Sequence, residues 1–276
     1  MKTVESYNQC NLLIKDFRRE HGKVATNFYF LPNELKDIIE RREMKYWQNK
    51  EALLFYVEET DFSHIFYFVK GDHVPDVEKT EKTMILDLVA RDIENSDAIK
   101  SEEKRWMTAG FKIYKKYVRL KYMIEKESYC NQDLMQKKDF GLSCAGHKDI
   151  DAILDLWRFN LDPYSIPLPN KQDLQRMIGT GHVYVMKQCN GLVGAAYMNT
   201  ASKSCVLNHL VINPLYRRQG LGTILMDFAL RRMAQEGIEK CYPWVDINNI
   251  PVYESCKKYG FQEEGLWSEQ MLYIHK

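Results

Sequence analysis

A glycine-containing loop that opens a long apolar helix is the part of this sequence with the clearest chemical potential. It lies within residues 213–223, which contain Gly220 and Gly222 together with Arg217 and Arg218. Backbone N–H groups in the first turn of a helix have no intrahelical acceptor and lie at the positive end of the helix dipole. Because glycine has no Cβ, a phosphate group can approach such a backbone closely. The loop therefore predicts a site for a pyrophosphate.

The spacing of these glycines excludes two well-known phosphate loops. A Walker A loop requires G-x-x-x-x-G-K, and the dinucleotide fingerprint requires a third glycine where this chain has Leu225. Gly-x-Gly alone is a weak signal, so its meaning depends on the elements around it.

Those elements predict a mixed α/β sheet in the C-terminal half. An apolar strand at 205–212 ends at Asn213-Pro214, and apolar spacing predicts a helix over 223–235. Asn190-Gly191 predicts a hairpin turn between two strands. Further strands are predicted at 140–145, 182–187, 192–199 and 240–247, a final strand pair over 261–274, and helices at 148–160, 173–178 and 252–258.

The N-terminal half also alternates strands and helices, but it contains no phosphate-type loop. Strands are predicted at 27–31, 52–58, 63–70 and 83–91, a helix at 32–42, a helix end at 104–110, and a strand or strand pair at 112–123. The polar stretch 125–139 has the composition of a linker. We therefore expect an N-terminal domain at 1–124, a linker at 125–139 and a C-terminal domain at 140–276.

Two motifs of the C-terminal half together resemble the signatures of the GNAT N-acyltransferases. The first is R-x-x-G-x-G at residues 217–222, directly after an apolar strand. The second is N-x-x-V-x-x-x-C-x-x-x-G-F at residues 249–261, which departs from the family pattern at Val252 and Cys256, where Ala and Tyr are usual. The resemblance covers about residues 138–276. It implies the mixed-sheet acyl-CoA N-acyltransferase fold, acetyl-CoA as cosubstrate and no metal.

The resemblance also implies which residues bind the cosubstrate. In the family, backbone amides of the loop bind the CoA pyrophosphate, and the main chain of the preceding strand pairs with the pantetheine arm. Matched by position, the implied residues are Arg217, Arg218, Gln219, Gly220, Leu221, Gly222 and Thr223 in the loop, Leu210, Val211 and Ile212 in the strand, and Asn249, which would contact the pantetheine arm.

The general base is not well marked. The acceptor amine must lose a proton, attack the thioester carbonyl and expel a thiolate that is then protonated. Family members often carry a Glu or His base on the strand before the loop, on the face that a regular strand gives to Val206, Asn208 and Leu210. Asn208 can hold a water but cannot accept a proton at neutral pH. A regular strand turns His209 to the opposite face, which favours a packed or surface histidine.

The sequence also leaves the identity of the general acid undecided. The family's acidic Tyr aligns with Cys256, whose thiol can protonate a thiolate. Tyr253, one helical turn earlier, is an alternative donor. An ordinary packing role for Cys256 is an equal alternative, and no His or Asp is placed by the sequence to make this thiol a nucleophile.

The N-terminal half repeats part of the second motif. Ala109-Gly110-Phe111 followed by a strand parallels Tyr259-Gly260-Phe261 followed by a strand. We interpret this half as a degenerate GNAT-like copy that has lost its CoA loop. The alternative is an unrelated α/β cap.

Composition limits the partners and the compartment. Lys+Arg 39 against Asp+Glu 38 gives a net charge of +1, which predicts no nucleic-acid or anionic-membrane partner. The longest apolar runs, 53–57 and 65–69, are too short to cross a bilayer, and residues 1–16 contain no apolar signal-peptide core. Seven cysteines without a C-x-x-C pair favour reduced thiols in the cytoplasm and no zinc site.

The sequence therefore predicts a cytoplasmic N-acetyltransferase. It would transfer an acetyl group from acetyl-CoA to an amine of a small molecule or peptide by direct attack in a ternary complex, with a thiol or hydroxyl acceptor as an open alternative. The loop at 161–169, with Tyr164, Ile166 and Leu168, is the expected acceptor wall and indicates a partly apolar acceptor. Two alternatives stay open: a catalytically weak CoA-binding sensor and an interaction module whose N-terminal half binds a partner. A homodimer is compatible with the resemblance, since the final strands of this family often pair between subunits.

Overall fold

The computed structural model describes residues 1–30, 32–77, 82–91, 97–125, 139–189 and 191–274. Its strands are β1 Lys2–Thr3, β2 Val24–Thr26, β3 Met44–Gln48, β4 Ala52–Glu58, β5 Phe62–Lys70, β6 Thr83–Arg91, β7 Lys112–Met123, β8 Gly141–Cys144, β9 Val183–Gln188, β10 Gly191–Ala201, β11 Ser204–Ile212, β12 Lys240–Cys241, β13 Trp244–Asp246 and β14 Gln262–Tyr273. Its helices are α1 Tyr7–His21, α2 Pro32–Glu40, α3 Asp97–Thr108, α4 Ile150–Asn160, α5 Lys171–Gly179, α6 Leu221–Gln235 and α7 Ile250–Tyr259, with short 3₁₀ turns at His147–Asp149 and Pro214–Tyr216.

The chain forms two compact units. Unit 1 comprises Met1–Tyr117 and Leu266–Lys276, and unit 2 comprises Val118–Gly265. The predicted linker falls almost entirely on residues 126–138, which lie outside the described residues. No local feature of the sequence indicates that the last residues of the chain belong with its first half. In the described part of the chain, no helix is long and apolar enough to cross a membrane.

The sheet of unit 1 has the strand order β1-β3-β4-β5-β6-β14, with β2 added to β5. All neighbours are antiparallel except β5 and β6. Helix α3 covers one face through Trp106, and α1 and α2 cover the other through Phe17 and Ile38. Because both faces are covered, β4 is buried from Ala52 to Val57 and reads as a continuous apolar run.

The sheet of unit 2 has the order β7-β12-β11-β10-β9-β8, and only β11 and β12 are parallel. Helices α4 and α5 pack on one face around Trp157 and Leu174. Helix α6 packs against the other face of β9, β10 and β11, where the rings of Tyr184 and Phe228 meet edge to face at 5.7 Å. This arrangement confirms the predicted mixed α/β fold.

Most predicted strands and helices of unit 2 are confirmed to within a few residues. The two strands of the predicted hairpin pair antiparallel from Gly191↔Gln188 onward, although Asn190 lies outside the described residues. The predicted strand at 240–247 is broken into β12 and β13, because Pro243 has no N–H to donate within a ladder. The predicted strand pair at 261–274 is the single strand β14, in which Gly265 has φ +73°.

Predictions for unit 1 were less accurate. The strand predicted at 27–31 is wrong, since β2 ends at Thr26, residues 27–30 are irregular and Leu31 lies outside the described residues. Of the two alternatives for residues 112–123, the structure has the single strand, with the predicted bounds. Helix α1 was missed, although Ser6 caps it by accepting a hydrogen bond from the N–H of Gln9.

Candidate functional site

The end of β11 exposes one main-chain edge. β11 pairs with β10 along most of its length but with β12 only at Ser204 and Cys205. Beyond Cys205, the described strands offer no partner on that side. The N–H of Asn213 donates to the carbonyl of Val193 on β10 at 2.8 Å, so alternation turns the amides of Leu210 and Ile212 toward the open edge. This edge can pair with an amide-bearing chain.

The structure divides the three predicted strand residues into two groups. Leu210 and Ile212 present main-chain groups at the open edge, whereas Val211 pairs with Ala195 of β10 and is 5% exposed. By alternation the main-chain groups of Val211 point to β10. Sequence position alone could not make this distinction.

A β-bulge changes the expected faces of β11. His209 pairs with Tyr197, but Leu207 pairs with the next residue of β10, so Asn208 is an extra residue without a register partner in β10. The register therefore turns Val206 and His209 to the same face of the sheet, and Leu210 to the other. The expectation that Val206, Asn208 and Leu210 share a face is wrong, because it assumed a regular strand.

His209 lies inside the unit, on the face covered by α4. The residue is 3% exposed, and its ring lies 4.6 Å from the ring of Trp157 at an interplanar angle of 38°. Burial lowers the pKa of His209 to about 4, and the nearby carbonyl of Pro167 opposes this shift. The imidazole is therefore neutral at pH 7 and lies beside the predicted acceptor wall at 161–169.

The glycine loop is open to solvent and shaped by a left-handed residue. Gly220 is the N-cap of α6 with φ +76°, and a Cβ there would have no atom within 4 Å. A Cβ on Gly222 would lie 3.7 Å from side-chain atoms of Leu210 and Ile212. Gly220 has no side chain to cap the helix. The N–H groups of Leu221, Gly222 and Thr223 therefore have no intrahelical acceptor and suit an anion.

The two arginines of the loop differ in their contacts. Arg217 donates from Nε to the carbonyl of Ile212 at 3.0 Å and from its guanidinium to Oδ1 of Asn160 at 2.7 Å. It therefore ties the loop to the end of β11 as well as adding charge. Arg218 is exposed and has φ +60°, and the neighbouring Gln219 is also exposed.

Asn249 stands at the N-cap of α7 with an exposed side chain. Its carbonyl accepts hydrogen bonds from the N–H groups of Val252 and Tyr253, each at 3.0 Å, while its side chain makes no capping hydrogen bond. The amide is therefore available to a ligand.

Neither predicted acid is tuned for protonating a thiolate. Cys256 is 5% exposed, and burial raises its pKa to about 11. The hydroxyl of Tyr253 donates to the carboxylate of Glu263, which is the main reason that the pKa of Tyr253 rises to about 12. A proton donor works best when its pKa lies near the working pH, so both groups are poor acids at pH 7. Across the described residues, no group of three or more His, Cys, Asp or Glu side chains could hold a metal ion.

Unit 1 contains the same kind of parallel strand pair, but Asn27 and β2 occupy the start of its opening. β5 and β6 pair only from Phe62↔Thr83 to His64↔Ile85. The side chain of Asn27 then donates to the carbonyls of Ile65 and Asp87, at 3.0 and 3.2 Å, and accepts from the N–H of Tyr67 at 2.8 Å. β2, directly before it, pairs with β5. The main-chain groups at the top of this opening are thus satisfied by the chain itself.

The two Gly-Phe pairs end their helices in the same way. Gly110 and Gly260 have φ +100° and +113°, and the N–H of Phe111 and of Phe261 donates five residues back along the chain. A tyrosine ring packs on each glycine within its own unit, Tyr273 on Gly110 and Tyr122 on Gly260. The two helix ends are therefore structurally equivalent.

Comparisons with known proteins agree with this geometry. Residues 146–261 match the model of the Acetyltransferase (GNAT) family. A GCN5-related N-acetyltransferase from Sphaerobacter thermophilus is similar at 8% identity, over 88% of this chain and 86% of that one, with a TM-score of 0.57. A GNAT-family acetyltransferase from Colwellia psychrerythraea is similar at 14% identity, over 99% of both chains, with a TM-score of 0.54. A Drosophila protein is similar at 14% identity, over 80% of this chain and 74% of that one, with a TM-score of 0.57.

At these identities the likeness to solved structures shows the fold alone. No curated protein matches the sequence.

Proposed function

We propose that this protein is an N-acetyltransferase, because residues 146–261 match the model of the Acetyltransferase (GNAT) family. It takes the acetyl group from acetyl-CoA and passes it to an amine of a small molecule or peptide by direct attack in a ternary complex. The reaction takes place in unit 2 and requires no metal.

The main support is the junction of the open β11 edge with the glycine loop. An extended amide arm needs donors and acceptors along one strand edge, which are the N–H and C=O of Leu210 and the N–H of Ile212, whose C=O already accepts from Arg217. A pyrophosphate at the end of that arm needs unpaired N–H groups, and the first turn of α6 provides them beside Gly220. Both features fit the CoA moiety, so Leu210, Ile212 and residues 217–223 would hold it, with Asn249 on the same arm.

The chemistry then requires a route for the amine proton. The amine nitrogen attacks the thioester carbonyl, the C–S bond breaks, and the proton lost by the amine must pass to a base or to water. His209 is a better candidate than Asn208, because it is neutral at pH 7 and lies next to Pro167 of the acceptor wall. Its low pKa makes it a weak base, so we assign it the transient holding of that proton rather than a full deprotonation before attack.

The departing thiolate does not need Cys256 or Tyr253 as its acid. A free thiol has a pKa of about 8.5, well below those of Cys256 and Tyr253, so transfer from either group is uphill. The proton that the amine loses can instead pass from the His209 imidazolium to the thiolate, which is downhill because the pKa of His209 is about 4. Replacing Cys256 by Ala should therefore lower kcat by less than about tenfold, since a general acid that acts contributes 10²–10⁴-fold.

Unit 1 is proposed to be a degenerate copy of the same fold. Its parallel pair β5/β6 and the helix end at Gly110-Phe111 match β11/β12 and Gly260-Phe261 of unit 2. Between β5 and β6, the described residues contain no helix and no glycine loop like residues 217–223. In unit 1, Asn27 forms hydrogen bonds with main-chain groups of β5 and β6 whose counterparts in unit 2 face an open edge. Unit 1 would therefore not bind acyl-CoA at this position.

Calorimetry with acetyl-CoA tests the binding part of the proposal. The wild-type chain should bind one acetyl-CoA. Gly220→Glu should abolish binding, because a carboxylate there repels the pyrophosphate and the left-handed backbone disfavours a side chain. Gly237→Glu is a matched control, since Gly237 also has a positive φ with free space around it but lies after the C-terminal end of α6. Equal binding by wild type and Gly220→Glu would refute the site.

Turnover measurements distinguish an enzyme from a catalytically weak CoA-binding sensor, an alternative that the high pKa values of Cys256 and Tyr253 leave open. The release of free CoA thiol is measured with each of a panel of amines, and the release caused by hydrolysis of acetyl-CoA without an amine is subtracted. The remaining release should depend on the acceptor. His209→Gln should lower kcat while leaving acetyl-CoA affinity unchanged. Binding without any acceptor-dependent release would favour a cytoplasmic CoA sensor instead.

A further inference from the structure

Unit 1 contains a groove that the proposed acetyl transfer does not use. The groove has a volume of about 490 Å³ and lies between β2, β6 and α3. Its walls include Val24, Thr26, Val89, Ile99 and Glu102. This volume falls within the range of ligand sites in proteins, which is roughly 300–1,000 Å³. We define this cavity as the unit 1 groove.

Two strand edges border the unit 1 groove. The carbonyl of Thr26 accepts a hydrogen bond from the hydroxyl of Tyr29 at 3.3 Å, which places it on the side of β2 away from β5. By alternation, Val24 has its N–H and C=O on that same outer side. The outer edge of β2 therefore has an N–H and C=O without a strand partner among the described residues.

The edge of β6 is available in the same way. The carbonyl of Asp87 accepts from Asn27, so it points away from β14 and toward β2. By alternation, Val89 turns its N–H and C=O to the same side. No described strand pairs with this side of β6 beyond Ile85. Because Asn27 joins the two strands at Asp87, β2 and β6 diverge from that point, with the unit 1 groove between them.

The charges at the inner end of the unit 1 groove neutralise one another. The Glu102 carboxylate accepts from the hydroxyl of Tyr67 at 2.9 Å and forms an ion pair with Arg105 at 3.1 Å. Arg105, with a side chain 4% exposed, also donates to the carbonyl of Gly71. Both charges are thus matched within the protein, so a bound group does not need to be an ion.

The rim of the unit 1 groove is open to solvent, and its charges also balance. Lys23 and Asp72 are exposed and of opposite charge, and Tyr29 is 56% exposed beside them. An uncharged molecule can enter there without displacing a buried ion pair. The rest of the wall includes the apolar side chains of Ala25, Leu88 and Ile99 and the uncharged polar side chain of Ser101.

We propose that the unit 1 groove binds an extended, uncharged segment of a partner polypeptide, which adds a strand between β2 and β6. Its main chain pairs with Val24 and Val89, and small apolar side chains pack against Ile99. A peptide backbone carries the alternating donors and acceptors that two strand edges demand, which is the basis of recognition by strand addition. Since β2 contains three residues, the paired segment is about that long.

A pair of synthetic peptides tests this proposal on the full chain. The first is acetyl-Ala-Val-Ala-amide, and the second is the same peptide with methyl groups on its amide nitrogens. Amide NMR titration should show saturable shifts at Val24 and Val89 with the first peptide only. Loss of two or more hydrogen bonds should weaken binding by about tenfold or more. Equal affinities for the two peptides, or no shift with either at millimolar concentration, would overturn the proposal.

Two variants locate the site. Val89→Pro removes the N–H that faces the groove and should abolish the shifts at Val24, whereas Val89→Ala keeps this N–H and should bind within about twofold of wild type. If Val89→Pro fails to fold, as judged by urea unfolding, the methylated peptide still decides the question. Binding by a folded Val89→Pro protein equal to wild type would contradict strand addition. None of these outcomes depends on acetyl-CoA.

Discussion

Gly194→Ala should show whether β11 and α6 hold the cosubstrate as a single assembly. Gly194 lies on β10 opposite Ile212, beneath the start of α6. A Cβ there would stand 2.5 Å from Cδ1 of Ile212, 3.0 Å from the carbonyl oxygen of Val211 and 3.3 Å from Cδ2 of Leu225. The Ile212 methyl can rotate away, but the Val211 carbonyl belongs to the backbone of β11. The end of β11 must therefore shift by a few tenths of an ångström.

Such overpacking typically costs about 1–3 kcal/mol. We expect the free energy of unfolding, measured in urea, to fall by about that amount. Acetyl-CoA affinity, measured by calorimetry, should fall in addition, because the shift moves Leu210 and Ile212 relative to the glycine loop. Gly191→Ala on the same strand is the control, since its nearest contact would be an ordinary 3.6 Å from the carbonyl of Gln188.

Two results would refute this reasoning in different ways. If Gly194→Ala is as stable as Gly191→Ala, the close approach of β11 and α6 to β10 does not exclude a side chain at residue 194. If stability falls but acetyl-CoA affinity does not, then β11 is not the strand that holds the cosubstrate.

Two further predictions concern buried polar groups of unit 1. Burial and the neighbouring Glu103 raise the pKa of Glu269, which is fully buried, to about 7, against an ordinary value of 4.5. The unfolded chain therefore loses this proton first, and stability should fall by about 3 kcal/mol as pH rises from 4.5 past 7. Urea unfolding at pH 5 and pH 8 should show this loss in wild type and not in Glu269→Gln, and an unchanged pH dependence in the variant would count against it. Asn27→Ala should destabilise unit 1 by about 2–4 kcal/mol, because it leaves two carbonyls and the N–H of Tyr67 without partners. Asn27→Asp should retain the hydrogen bond from Tyr67, so its free energy of unfolding should fall by less. Equal stability of Asn27→Ala and wild type in urea would show that water replaces the amide.

The sequence was most informative where chemistry depends on the backbone. The glycine loop before an apolar helix predicted first-turn N–H groups without an intrahelical acceptor, and the structure adds that Gly220 is a left-handed N-cap with no side-chain cap. These features need only local spacing, because a helix start and a strand end follow from neighbouring residues. The strand predictions at 52–58 and 83–91 were confirmed for the same reason.

Side-chain roles were harder to predict because they depend on contacts between distant residues. The bulge at Asn208 arises from the register between β10 and β11, and no feature of the strand itself reveals it. It puts Val206 on the same face as His209, which lies buried beside Trp157 as the regular alternation also predicted and whose pKa burial controls. The polar Asn27 resembled part of an aromatic strand in the sequence, yet it joins three backbone groups that lie 38 to 60 residues away.

The sequence by itself predicted the glycine loop, the strand before it and the second motif, and through them the resemblance of residues 146–261 to the GNAT acetyltransferases, whose family model they match. The tertiary structure alone decided which main-chain edges are open. In unit 2, Leu210 and Ile212 keep an open edge, whereas in unit 1 β2 covers the edge of β5 and Asn27 joins β5 to β6 at Asp87. The physical reason is that a strand edge is open or closed according to what a distant part of the chain places beside it. Local propensity does not encode that placement.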